Sequence, residues 1–377
     1  MKRSSILRLF LASFVALPLP GAEPSLQLTL PAVWHGAPGV PISVYFDNMV
    51  LTEHPENFRF EVKCDIGTTE ARRWTVNPED KDTGEHLMEV VVKDTRGQEL
   101  ERKRTKLLIA PRNAGADREL RLLIVGDSLT HATKYPNEIA RLLSTAGNPR
   151  WTMLGTHQPA SAAPGVAHEG YGGWTWAAFL TKFDPKPPEA TAGPPAKKST
   201  SPFVFADAGG KGVLDVPRYI RQNCGNQPPD VVMFLLGIND CFRADPNDRA
   251  AMEKTINAAL DNAEELVTAF HKAAPKAVFA VGLTTPPNSR EEGFEASYHG
   301  NFHRWDWKRI QHRLVQRMLE RFGDRQMDNL HLVATELNLD PVDGYPNDNG
   351  VHPNASGYAQ IGASFYSWLK VWLAGRL

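Results

Sequence analysis

Leu122-Leu123-Ile124-Val125-Gly126-Asp127-Ser128-Leu129-Thr130 is the stretch that decides the fold. It begins as an apolar run, stops at a glycine, and is followed at once by a carboxylate and a hydroxyl. An apolar run with no polar alternation reads as a strand covered on both faces, as in a parallel sheet between helices. Gly126 permits a tight turn at the strand's end. Ser128 then stands at the carboxyl edge of the sheet, where doubly wound folds hold their ligands.

The same grammar repeats downstream. Trp151–Leu154, Asp230–Leu236, Ala277–Leu283 and Leu330–Ala334 read as four more strands, with Arg121–Val125 the first. Between and after them, Asn137–Thr145, Trp176–Lys182, Arg249–Ala273, Trp305–Arg321 and Ser356–Leu373 have helical spacing. This alternation predicts a three-layer α/β/α domain over residues 119–377, with a five-stranded parallel sheet in flavodoxin-like order. Residues 185–202, rich in Pro, Ala, Lys, Ser and Thr, read as a mobile surface loop.

Upstream the text changes. Ile42–Phe46, Phe58–Val62, His86–Val92 and Lys106–Ile109 are short β-forming runs separated by turn residues. Residues 23–112 are therefore expected to form a small, immunoglobulin-like β-sandwich, used for packing and spacing or for holding a glycan. Residues 113–118 read as the linker.

Residues 1–22 have the pattern of a signal peptide: Lys2 and Arg3, an apolar stretch from Ile6 to Leu19 interrupted by Arg8, then Gly21 and Ala22. The stretch is short of the roughly 20 apolar residues a membrane span needs. The expectation is a secreted or periplasmic protein with no stable membrane insertion after cleavage. The chain carries 42 basic and 43 acidic residues, so composition offers no surplus of positive charge for nucleic acid. Export permits disulfides. Cys224 and Cys241 flank one strand and are candidates for a bridge, with free thiols the alternative, and no cysteine has metal-ligand spacing.

Four places carry residues suited to catalysis. Ser128 is a candidate nucleophile, but a serine hydroxyl needs a nearby base. His352, in Asp348-Asn349-Gly350-Val351-His352-Pro353, follows the last strand and titrates near neutrality. Gly173, in Gly170-Tyr171-Gly172-Gly173-Trp174-Thr175, offers a backbone N–H to a developing oxyanion. Asn239, in Gly237-Ile238-Asn239-Asp240, offers a side-chain amide, and the Ser128 N–H completes the set. Singly, each also reads as a turn, a cap or a solvated loop residue.

Together and in this order, Ser128, Gly173, Asn239 and His352 resemble the SGNH (GDSL-type) hydrolase superfamily over roughly residues 119–377. The resemblance implies ester hydrolysis through an acyl-enzyme, with no metal and no cofactor. The family usually places an aspartate three positions before the histidine, where this chain has Asn349. Asp348, one position earlier, is expected to orient the imidazole through a local turn. Orientation by Asn349 or a backbone group is the alternative. Asp127, Trp174, Trp176 and Asp240 are candidate substrate-binding residues, the tryptophans as stacking surfaces for sugar rings. Export, an accessory β domain and these aromatics point to a carbohydrate O-deacetylase acting on a small-molecule or polysaccharide ester. A lipase or lysophospholipase, and a non-catalytic glycan-binding protein of the same fold, are the alternatives. Gly209–Gly212 lacks phosphate-loop spacing, and His299 with His303 lacks the metalloprotease glutamate. Asp245–Asp248 reads as helix capping before Arg249.

Overall fold

The structure is a computed structural model and describes residues 26–186 and 198–377. The signal-peptide reading of residues 1–22, and residues 187–197 of the Pro-rich loop, lie outside the described residues.

The first unit contains β1 (Val33–Gly36), β2 (Ile42–Tyr45), α1 (Phe46–Met49), β3 (Arg59–Lys63), β4 (Thr68–Thr69), β5 (Arg73–Val76), β6 (Gly84–Lys93) and β7 (Glu99–Ile109). They form a four-stranded sheet, β1-β7-β6-β3, and a three-stranded sheet, β2-β5-β4. All pairs are antiparallel except β1 with β7. Trp34, Met88, Val90 and Leu107 from one sheet and Ile42, Val44 and Trp74 from the other share one apolar cluster.

The second unit contains β8 (Glu119–Gly126), α2 (Ser128–His131), α3 (Lys134–Leu143), β9 (Arg150–Leu154), β10 (Glu169–Gly170), α4 (Trp176–Thr181), β11 (Val204–Ala206), β12 (Gly212–Leu214) and α5 (Val216–Asn223). It continues with β13 (Val231–Leu235), α6 (Ile238–Cys241), α7 (Arg249–Ala273), β14 (Val278–Gly282), α8 (Glu291–Tyr298), α9 (Arg304–Phe322), β15 (Leu330–Val333), α10 (Thr335–Asn338) and α11 (Ala355–Leu373). Its main sheet runs β10-β8-β13-β14-β15, with β9 also paired to β8 and every pair parallel. Two short strands share the second position of the flavodoxin-like order. β9 lies against Glu119–Leu123 and β10 against Val125–Gly126.

Successive residues of a strand point to opposite faces, which explains the unalternated apolar runs. Phe234 meets Trp176 of α4 and Phe270 of α7 on one side. A Cβ added at Gly282, in the neighbouring strand, would meet both Leu235 and Phe365 of α11. The sheet is thus covered by α4 and α7 on one face and by α11, packed on α3, on the other. Leu122, Leu123, Ile124 and Val125 are completely buried.

The two units meet across a fastened contact rather than a free tether. The Ser43 N–H donates to Asn338 Oδ1 at 2.7 Å, and Asn48 Nδ2 donates to the Glu336 and Leu339 carbonyls at 2.7 and 2.9 Å. Ala334 and Leu337 join the first unit's apolar cluster. The 113–118 segment, expected as a plain linker, is made of turns held by buried Lys370. Its ammonium donates to the carbonyls of Arg112, Ala114 and Gly147. All three cysteines are free, so the bridge considered between Cys224 and Cys241 is not formed. Among the described residues no helix is long and apolar enough to cross a membrane.

Candidate active site

Ser128 is the first residue of α2, directly past the end of β8. The turn is sterically closed to any side chain at position 126. A Cβ there would lie 1.9 Å from Thr130 Oγ1 and 2.7 Å from the Leu235 carbonyl oxygen. Asp127 caps the short helix through Oδ1, which accepts from the Leu129 N–H at 3.0 Å. That cap needs a short acceptor at this position, and it leaves the next side chain, Ser128, at the edge of the sheet.

His352 reaches the same edge from the far end of the chain. Its Nε2 lies 2.8 Å from Ser128 Oγ, across a sequence separation of 224 residues. Its Nδ1 lies 3.1 Å from Asn349 Oδ1. The same oxygen accepts from the backbone N–H groups of Val351 at 3.1 Å and His352 at 2.8 Å. Two main-chain donors converging on one atom identify it as the amide oxygen. Nδ1 must therefore carry the proton, and the Nε2 lone pair faces the serine hydroxyl.

Asp348, expected to orient the imidazole, does not do so. An Asx-type turn brings a side-chain oxygen over the N–H groups two and three residues ahead. Residue 349 thus reaches the ring, while residue 348 is carried to the exposed outer side of the loop. Ser297 Oγ holds the Asp348 carbonyl at 3.1 Å, and the wholly buried Asn288 donates to the carbonyls of Pro346 and Asn349, each at 2.9 Å.

Gly173 lies in the turn after β10. The Trp174 N–H donates to the Tyr171 carbonyl at 3.2 Å, and Gly173 has φ 77°. The third residue of such a turn needs positive φ, which favours glycine. Gly172 and Gly173 are exposed, and a Cβ at either would meet nothing within 4 Å. Glu169, to which the sequence reading gave no role, anchors this turn from beneath. It is fully buried and accepts from the Thr156 N–H and Tyr219 hydroxyl, each at 2.7 Å, and from the Tyr171 hydroxyl.

Asn239 enters from α6. Its Nδ2 donates to the Trp174 carbonyl at 3.0 Å and, at a longer 3.4 Å, to Asp127 Oδ2. Asp240 caps α4 by accepting from the Trp176 N–H at 3.0 Å, while its other oxygen is buried without a partner. Burial pushes the carboxyls of Asp127 and Asp240 up to about 7. Burial, and then the Lys134 ammonium, hold the His352 imidazole below its ordinary value. It is the neutral, accepting form that persists at neutral pH.

The residues proposed for substrate contact fare differently. Trp174 and Trp176 are 4% and 2% exposed and belong to the core. Asp127 is 1% exposed and occupied by capping. The reason is local: Trp176, on α4, packs its ring on Phe234 of β13, while Trp174, ahead of the helix, packs on Tyr171 and Phe179. Asp248 caps α7 through the Ala251 N–H at 3.0 Å, as read from the sequence. Among the described residues no cluster of His, Cys, Asp or Glu is arranged to hold a metal.

A parallel sheet thus carries the Ser128–His352 pair at its carboxyl edge, with Asn239 joined to Asp127 and Trp174. The chain belongs to the GDSL-like Lipase/Acylhydrolase family, which residues 124–360 match. Similar solved structures include a Clostridium thermocellum family 3 carbohydrate esterase at 18% identity, covering 66% of this chain and 94% of that one with a TM-score of 0.41. A family 3 carbohydrate esterase from Talaromyces cellulolyticus has 17% identity, coverage of 68% and 99%, and a TM-score of 0.40. The acetyl xylan esterase AlAXEase has 12% identity, coverage of 66% and 100%, and a TM-score of 0.36. Comparison with curated proteins gives no match.

Proposed function

We propose that this family member is an exported serine esterase that removes short acyl groups, acetyl first among them, from carbohydrate. The observation that carries the esterase reading is the 2.8 Å contact between Ser128 Oγ and His352 Nε2. In this reading His352 takes the Ser128 proton as the hydroxyl attacks the ester carbonyl. The oxyanion is held by the N–H groups of Ser128 and Gly173. The Asn239 amide joins them by turning its longer-held N–H away from Asp127. His352 then protonates the leaving alcohol, and water repeats the sequence to release the acid. Asn349 takes the orienting role, so the triad is Ser128, His352 and Asn349.

The carbohydrate assignment is supported by the openness of the Gly172–Gly173 rim, which leaves room for a bulky alcohol. The leader-like residues 1–22 fit export. With them go the remaining boundaries: a sandwich-like unit over 23–112, a junction over 113–118 and the esterase domain over 119–377. Two sheets sharing one core support the sandwich reading. The test is hydrolysis of p-nitrophenyl acetate by the wild type and by Ser128→Ala. Turnover is expected to vanish in the variant, and full activity would remove Ser128 from the mechanism. A strong preference for long-chain over acetyl esters would reject deacetylation.

A further inference from the structure

Three lysines are held against aromatic rings that belong to the segments carrying Gly173 and His352. Lys134 Nζ lies 5.1 Å from the centroid of the Tyr358 ring, Lys182 Nζ 4.8 Å from that of Trp174, and Lys198 Nζ 5.6 Å from that of Tyr171. Tyr171 and Trp174 bracket the exposed Gly172–Gly173 turn. Tyr358 stands on α11, six residues beyond His352 in the chain. All three lysines are exposed, and among the described residues none has a carboxylate within the 4.0 Å of an ion pair. An ammonium over an aromatic face is attracted by the ring's quadrupole. The rings thus fix the three ammonium groups at defined points on the segments that carry Gly173 and His352. Asp348 is exposed, and Asn349 takes the place beside the imidazole. The Lys134 charge is close enough to act on His352 itself.

We propose that this rim selects an anionic ester, one whose sugar carries a carboxylate or a comparable negative group near the scissile bond. Unpaired positive charge at a cleft raises the local concentration of an oppositely charged substrate and steers it in. The inference rests on the esterase reading and narrows its substrate class.

The test uses the full-length protein and two probes that differ in one group: an O-acetylated methyl glucosiduronate, and the corresponding acetylated methyl glucoside with a hydroxymethyl in place of the carboxylate. The readout is the ratio of their kcat/KM values, measured beside p-nitrophenyl acetate hydrolysis. The wild-type ratio is expected to favour the uronate by about tenfold at low salt and to collapse towards unity near 1 M salt, where the Debye length falls to about 3 Å. Lys134→Gln and Lys182→Gln should each lower it by about two- to threefold. The triple Lys-to-Gln variant, including Lys198, should abolish the preference, and the triple Lys-to-Arg variant should keep it. A wild-type ratio near one, or a preference that survives the triple Lys-to-Gln change, overturns the inference while leaving the esterase reading intact. Failure to hydrolyse any of the three esters overturns both.

Discussion

Position 349 is where the site departs from an acidic triad, and it makes a quantitative prediction. In the wild type the Asn349 amide oxygen lies 3.1 Å from His352 Nδ1 and supplies orientation without a full charge. Asn349→Asp puts a negative charge at that distance. An opposite charge within about 4–6 Å shifts a pKa by about 1–3 units in favour of the charged form. The imidazole, now held below its ordinary value by burial and Lys134, should rise by that amount. The acid limb of kcat/KM should move to higher pH by the same margin, because this quantity reports the free enzyme's base. Above the limb, stabilisation of the imidazolium in the transition state should raise the rate by up to roughly tenfold, since one pKa unit corresponds to about 1.4 kcal/mol. Asn349→Ala works in the opposite direction. It removes the acceptor of three N–H groups. At about 1 kcal/mol per lost hydrogen bond, partly recovered by water, kcat/KM should fall by about a hundredfold. The assay is the pH–rate profile of p-nitrophenyl acetate hydrolysis from pH 4 to 9 for the three proteins. An Asn349→Ala enzyme within about twofold of wild type, together with an unmoved limb in Asn349→Asp, would refute the orienting role.

Two further consequences follow from the same geometry. Lys134→Gln removes a cation that depresses His352, so the acid limb should move up by a few tenths of a pH unit, and less at high salt; a downward shift in the pH–rate profile would contradict the assigned cause. Gly126→Ala forces a Cβ to 1.9 Å from Thr130 Oγ1 and 2.7 Å from a backbone oxygen. Overpacking of this kind costs about 1–3 kcal/mol or more, measurable as a lower midpoint in urea unfolding, with activity lost beyond the change in folded fraction because Ser128 is two residues away.

Much of this molecule is legible in local text because the physics is local. An apolar run without alternation demands cover on both faces, so the five main strands and the helices α3, α4, α7, α9 and α11 can be read in order from composition and period, whereas the shorter α5 and α8 escape that reading. Residues Arg249–Ala273 form a helix over the range read from their spacing, because an Asp cap and a following proline bracket it. Ser128, Gly173, Asn239 and His352 each stand at a strand end or a glycine turn, and it is the order of the four together that singles them out. Three decisions belong to the tertiary structure. Whether residue 348 or 349 faces the imidazole depends on the direction of an Asx turn pinned by Asn288 and Ser297, which are distant in sequence. Whether Trp174 and Trp176 stack on a substrate or fill the core depends on how α4 and the turn before it pack, and both rings are buried, Trp176 on Phe234 and Trp174 on Phe179. Whether the first unit hangs from a tether or is seated depends on contacts such as Ser43 with Asn338, made between segments nearly 300 residues apart. Composition and period specify which residues must be buried; only the packed chain decides which neighbour buries them.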